Sequence, residues 1–239
     1  RHTRCSRDWS SDVCSSDLDD AIRWLAAATT HGSTDAMVWA ELGRLVGKTE
    51  PERADQALAR ALALAPASAD VRVRSGAQHV RRGCATDALS TLAPLTTVPS
   101  DLRFEFYQVI ASARRIQGEF QLAADAAAQV LEAARTPVEI EFARDFVRQV
   151  STPPGVTALV TGTLIDMDCL PDAPILTIQG PAGQVRLQLD DRRRVVVAGG
   201  GSVDLDCGRQ QRAVTAGYAT GDAPPGTHGR VRYLDFRPR

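Results

Sequence analysis

The stretch Ala54-Asp55-Gln56-Ala57-Leu58-Ala59-Arg60-Ala61-Leu62-Ala63-Leu64-Ala65-Pro66 sets small and large apolar residues at a helical spacing, and the chain writes the pattern again. Its triplet Ala54, Leu58 and Ala61 is preceded by Ala21, Leu25 and Ala28 and followed by Ala88, Leu92 and Leu95, then by Ala123, Ala127 and Val130. The steps from Ala21 to Ala54, to Ala88 and to Ala123 are 33, 34 and 35 residues. A fixed period of that size marks a helical solenoid. One hairpin cannot bury its apolar stripe alone, so stability comes from stacked neighbours.

A second series runs between the triplets. Gly43 and Gly76 occupy one point of successive units, with Ala111 in that place in the next, and Gly83 and Gly118 follow seven residues after Gly76 and Ala111. Glycine lets two helices approach closely and turns the chain through backbone angles that other residues avoid. Helix pairs are therefore predicted at 35–47 with 52–64, 69–82 with 85–95, and 101–117 with 120–134. They follow a lone helix at Asp20–His31 that reads as the second half of a pair. Thr136-Pro137-Val138-Glu139 is a capping box with proline at the first position, and it starts a last helix. There Val138, Phe142, Phe146 and Val150 read as one apolar face closing the solenoid.

This pattern resembles the tetratricopeptide repeat family. Trp39, Leu42 and Gly43 match its first-helix signature, and Ala54, Leu58, Ala61 and Pro66 its second. The next unit keeps Gly76, Gly83 and Ala88, and the third keeps Ala111, Gly118 and Ala123. The first unit has one residue fewer in its turn around Lys48 to Glu52, and the later units lack the Trp and the terminal Pro. The resemblance covers about half the chain. It implies a concave face lined by the first helix of each unit, which carries a partner-binding groove onto Ala40, Arg44, Val73, Ala77, Gln108, Ser112 and Arg115. The Lys and Asn residues that clamp a carboxylate in chaperone-tail-binding members are not at these places. Arg44 and Arg115 remain as anchors for an acidic peptide, against the plainer reading of solvated arginine.

The first eighteen residues, Arg1 to Leu18, show no helical or strand period. The run from Arg7 to Leu18 resembles translated sequencing-adapter read-through, so 1–18 is read as an artefact or a disordered tail and set aside. On that reading the true N-terminus and any export signal lie outside this sequence.

Ser151-Thr152-Pro153-Pro154-Gly155 stops the helical pattern and is read as a linker, 151–155, between a helical domain at 19–150 and a small all-β domain at 156–239. Beyond it the period becomes two: Val185, Leu187 and Leu189 alternate with Arg186, Gln188 and Asp190. Seven strands are predicted, at 158–168, 174–179, 184–190, 194–198, 202–207, 212–219 and 229–236. Turns are read at Gly180 to Gly183, Gly199 to Gly201 and Pro224 to Gly226. The expected class is α+β, a helical solenoid followed by a small antiparallel β-barrel or sandwich. The tail is also similar to a small domain that follows tetratricopeptide repeats in bacterial proteins, notably from soil-dwelling acidobacteria. The likeness rests on Thr161 to Cys169, Val203 to Gly208 and Arg232 to Phe236, and it brings no assigned activity.

Composition narrows the function. Net charge is −1 over 239 residues, which gives no large field for nucleic acid or anionic membrane. No apolar run approaches the ~20 residues of a membrane span. Five cysteines include no C-x-x-C. Cys169 and Cys207 could form a disulfide in an exported protein or be two buried small hydrophobes. Asp166 with Asp168, and Asp204 with Asp206, could bind a cation but read better as a solvated strand face. Gly199-Gly200-Gly201 lacks the Lys-Ser or Lys-Thr of a phosphate loop. Arg192-Arg193-Arg194 reads as a solvated turn, and His31, His79 and His228 lie in no catalytic motif. Tyr218, Tyr233 and Phe236 read as core, which argues against a glycan site in the β domain. The expectation is a non-enzymatic scaffold that binds a protein or peptide, with no cofactor and no metal. The alternative is the accessory end of a larger bacterial enzyme, for example a peptidase. The oxidising option for the cysteines tilts localisation toward the periplasm or export.

Overall fold

The structure is a computed structural model that describes residues 11–169, 174–189, 195–198, 206–221 and 223–236. Arg192 to Arg194, Gly199 to Gly201, Asp204 and most of the strand expected at 202–207 lie outside the described residues. Among the described residues are eight helices followed by six strands in one mixed sheet, an α+β arrangement. The helices are α1 Ser11–Thr30, α2 Ala36–Val46, α3 Pro51–Leu64, α4 Ala69–Arg81, α5 Ala85–Leu92, α6 Arg103–Ile116, α7 Phe120–Ala133 and α8 Pro137–Ser151. The strands are β1 Ala158–Asp168, β2 Ile175–Gly180, β3 Gly183–Gln188, β4 Val196–Ala198, β5 Gly208–Ala219 and β6 Gly229–Asp235. α1 begins at Ser11, so 11–18 continues a helix where the sequence showed no helical period.

Helix boundaries fall where the local chemistry puts them. Asp35 caps α2 by accepting from the Met37 amide at 2.8 Å, and Ser68 caps α4 through the Val71 amide at 3.4 Å. Thr136 and Glu139 form the expected reciprocal box on α8. Three helices end alike. Gly32, Gly83 and Gly118 take positive φ of 78°, 75° and 78°. The next amide bonds back five residues, Ser33 to the Ala28 carbonyl at 3.1 Å, Cys84 to His79 at 2.8 Å and Glu119 to Arg114 at 2.9 Å. This closure leaves the last carbonyls satisfied and needs glycine at the left-handed position.

The chain forms two compact units, one up to Leu102 and one from Arg103. The first holds α1 to α5. Its core is built of small residues: Ala40, Leu58, Ala61 and Val71 in one cluster, and Leu42, Val46, Ala54 and Ala57 in another. Gly43 explains how α2 and α3 come so close, because a Cβ there would stand 2.6 Å from Leu58 Cγ and 3.1 Å from the Ala54 carbonyl oxygen.

The second unit joins α6, α7 and α8 to the sheet. Helix gives way to strand between Ser151 and Ala158, but the packing divides the chain earlier, at Leu102 and Arg103. The strand order is β3-β2-β1-β5-β6-β4, and β3 also pairs with β6. The β3–β6 and β4–β6 pairings are parallel, so the sheet is mixed and not all antiparallel. Hairpin turns announce only antiparallel neighbours; parallel partners are distant in sequence and leave no turn signal. β1 bulges between Leu164 and Asp166. The extra residue lets Leu164 and Met167, three apart, both point into the core. On the other face α7 covers the sheet, where Ala124 packs with Val196, Ala198 and Tyr233. Gln121 donates from Nε2 to the Val197 carbonyl at 2.8 Å and accepts at Oε1 from the Val197 amide at 2.9 Å.

α8 turns a different stripe inward from the one expected. Ala143, Phe146, Val147 and Val150 are buried, while Val138 is 76% exposed and Phe142 45%. Residues four apart drift about 40° per step on a helix of 3.6 residues per turn, so the run from 138 to 150 cannot hold one face.

The contact at Gly43 sets two effects against each other. Alanine is the better helix former by about 1 kcal/mol, whereas overpacking a tight contact costs roughly 1–3 kcal/mol. Gly43→Ala is expected to lower the denaturation midpoint; a raised midpoint would show that α2 and α3 do not meet this closely.

Candidate functional site

The residues proposed for a groove fall in both units, and the structure treats them unequally. Ala40 and Val73 are fully buried, Ala40 against Leu58, Ala61 and Val71, so neither can line an open surface. With side chains this small, those positions face the neighbouring helix rather than solvent. Ala77 is half-buried, and Arg44 is exposed.

Arg44 belongs to a chain of charges across α2 and α4. Its Nε donates to both carboxylate oxygens of Glu41 at 3.0 Å. Glu41 also takes Arg74, and Arg74 takes Asp70 one turn back on its own helix. The hydrogen bond from Arg44 holds the Glu41 carboxyl below the usual carboxylate range, aided by the charges of Arg44 and Arg74 and opposed by burial. Burial works to lower the Arg74 pKa, but Asp70 and Glu41 outweigh it and the net shift is upward.

Two turns along α4 lies Arg81. It is an exposed residue, yet a Cβ at Gly47 would meet its Nη2 at 2.9 Å, so its guanidinium lies against that backbone. Local desolvation first, and repulsion from Arg44 second, lower its pKa. Its Nε donates to Gln78 Oε1 at 2.9 Å. Gln78 is itself buried and reaches the Asp55 carboxylate at 3.0 Å and the Pro51 carbonyl at 3.3 Å, tying α4 to the start of α3. Glu41, Arg74, Gln78 and Arg81 were missed by sequence reasoning. The i, i+4 pair Asp70 and Arg74, and a glutamine one heptad after buried Val71, were the available signals.

In the second unit Gln108 and Ser112 are half-buried on α6. Arg115 donates from Nη1 to the Gln149 carbonyl in the last turn of α8, so the fold uses it to satisfy a helix end. Arg115, expected as a ligand anchor, makes this contact within the fold. Asp166 stands opposite Arg209 across the β1–β5 ladder, and Asp168 is exposed. Cys169 and Cys207 are joined in a disulfide with Cα atoms 5.6 Å apart, linking the end of β1 to the residue before β5. Cys84 is a free, exposed thiol.

No family model matches the chain, and no curated protein matches it. A solved structure of a mutant of MamA is similar over 59% of this chain and 89% of that chain, at 20% identity and a TM-score of 0.35. A superposition that loose carries no statement about function.

No described helix is long and apolar enough to cross a membrane. Among the described residues no three His, Cys, Asp or Glu side chains converge as metal ligands. What the first unit does present is a face of α2 and α4 with three arginines, Arg44, Arg74 and Arg81, against two acids, Glu41 and Asp70. Asp55 also lies near Arg81, but it is shared with Arg82 at 3.6 Å.

A carboxyl whose folded pKa is lowered adds stability above its unfolded value, and that stability is lost as pH falls through the folded value. Glu41→Gln is therefore expected to flatten the fall of melting temperature on acidification below the ordinary value of 4.5. Melting curves between pH 6 and about pH 3 check this; an unchanged acid slope would mean that the arginines do not hold Glu41 ionised.

Proposed function

We propose that the chain is a non-enzymatic interaction scaffold of the tetratricopeptide type, whose first unit holds an acidic peptide segment on the α2–α4 face. The observation that supports this most is the juxtaposition of Arg81 and Arg44. The Arg81 guanidinium lies against the backbone of Gly47, three residues after Arg44, and burial first and the charge of Arg44 second lower its pKa. An incoming carboxylate relieves that repulsion and gains charge-assisted hydrogen bonds. Ala77, a small half-buried residue, lies between Arg74 and Arg81 on α4. In the second unit, the strand circuit β3-β2-β1-β5-β6, returned to β3 by its parallel pairing, fits a small closed barrel. The disulfide suits an oxidising compartment such as the periplasm or the exterior.

The test is fluorescence anisotropy with a labelled octaglutamate peptide on the intact chain. Reversing both charges, Arg44→Glu with Arg81→Glu, is expected to weaken binding at least about tenfold, and added salt should weaken the unmodified protein's binding. Arg60→Glu, on an exposed position of α3, serves as the control for net charge. Equal loss in the control, or no loss in the double variant, would contradict the assignment.

A further inference from the structure

The Cys169–Cys207 bridge stands at the neck of a long excursion of the chain. The bonded cysteines are 38 positions apart, and β2, β3 and β4 all lie between them. The register of β1 with β5 runs as far as Met167 and Gly208, so the bridge ties the excursion together where backbone pairing stops. Cys169 is half-buried against the sheet core, whereas Cys207 is exposed. Exposed bridges are the ones that thiolates reach and reduce. The strands inside the excursion are held unequally. β2 pairs with both β1 and β3, and Leu176, Ile178 and Leu187 are fully buried. β4 has three residues, Val196–Ala198; among the described residues it pairs with β6, and Gln121 of α7 meets Val197. Closing a segment into a loop removes conformational freedom that its strands would otherwise regain. Opening the loop acts most on the element with the least pairing of its own, which is β4.

We propose that this bridge is a thiol-operated switch on β4. A dithiol reductant attacks the Cys207 sulfur with one thiolate; the bond to Cys169 breaks, and Cys169 leaves as a thiolate. The second thiolate of the reductant then attacks its partner sulfur in the mixed disulfide and expels Cys207. Two electrons have passed to the bridge, the reductant has become a cyclic disulfide, and the protons lost by its thiols reach the two cysteines through water. With the bridge open, β4 leaves β6 and α7, while β1, β2, β3 and β5 keep the rest of the sheet. Release of β4 uncovers Ala124 of α7 and the Tyr233 ring, which pack with Val196 and Ala198 in the closed form. The oxidised chain therefore keeps that apolar face covered, and the reduced chain presents it. The switch is separate from the acidic-peptide face of the first unit and uses none of its residues.

Hydrogen exchange of the intact chain, read by mass spectrometry, tests this in a Cys84→Ser background that removes the free exposed thiol. The oxidised chain is compared with the chain reduced by dithiothreitol without denaturant, and with Cys169→Ser plus Cys207→Ser. Reduction is expected to speed exchange over β4 at least about tenfold, and the double serine variant should match the reduced chain. Peptides over β1, β5 and the first unit should exchange as before, and reoxidation should restore the protection of β4. A bridge that dithiothreitol does not reduce in the folded chain, unchanged exchange over β4 after reduction, or protection that does not return on reoxidation would each overturn the proposal. So would exchange raised equally over β1 and β5, or a double serine variant that does not fold, since either would make the bridge a general staple of the sheet.

Discussion

Gln121 meets Val197 twice, donating to its carbonyl and accepting from its amide, so one side-chain amide occupies the place of a neighbouring strand's backbone. Among the described residues β4 is the last strand of the sheet, and an uncovered edge exposes unpaired amide and carbonyl groups that invite other chains. The glutamine closes that edge from a helix. Beside it, Ala124 is small enough to let α7 lie directly on Val196, Ala198 and the Tyr233 ring. This is why the compact unit starts at Arg103 rather than at the change from helix to strand. Two further features of the second unit depend on the contact: the burial of Tyr233, and the placing of α8, which packs on α7 through Phe146, Val147 and Val150.

In the first unit the governing constraint is close approach between helices. Alanine and glycine at Ala40, Gly43, Ala54, Ala57 and Ala61 remove the bulk that would hold the helices apart, and Leu58 fills the space that remains. Small side chains bury little apolar area each. Polar links therefore matter more than they would in a leucine-rich core, and buried Gln78 joins α4 to two residues of α3, Pro51 and Asp55. The arginine face is a by-product of the same geometry, since helices this close bring Arg44 and Arg81 within electrostatic reach.

Local signals made most of the helices legible in the sequence. The capping box at Thr136 and Glu139, the glycine stops at Gly83 and Gly118, and the apolar triplets each act within a few residues. The change to period two also marked the strands, and Leu187 and Leu189 are buried as that alternation implies. What stayed hidden was long-range. Nothing near β4 or β6 signals their parallel pairing, and nothing near Gln121 says that its amide meets a residue 76 positions away. The bulge in β1 broke an alternation the sequence had suggested. For the candidate surface, the family positions gave Arg44 but also two buried residues, Ala40 and Val73, because a helix position identifies a face only after its neighbours are placed.

α7 and the sheet form one cooperative body. Its most direct test compares two fragments, 103–239 and 156–239, by chemical denaturation followed at once by far-UV and near-UV circular dichroism. Fragment 103–239 is predicted to unfold in a single transition with coincident signals, and 156–239, with β4 and Tyr233 uncovered, to be much less stable or not to fold. A fragment 156–239 as stable as the longer one would contradict the claim.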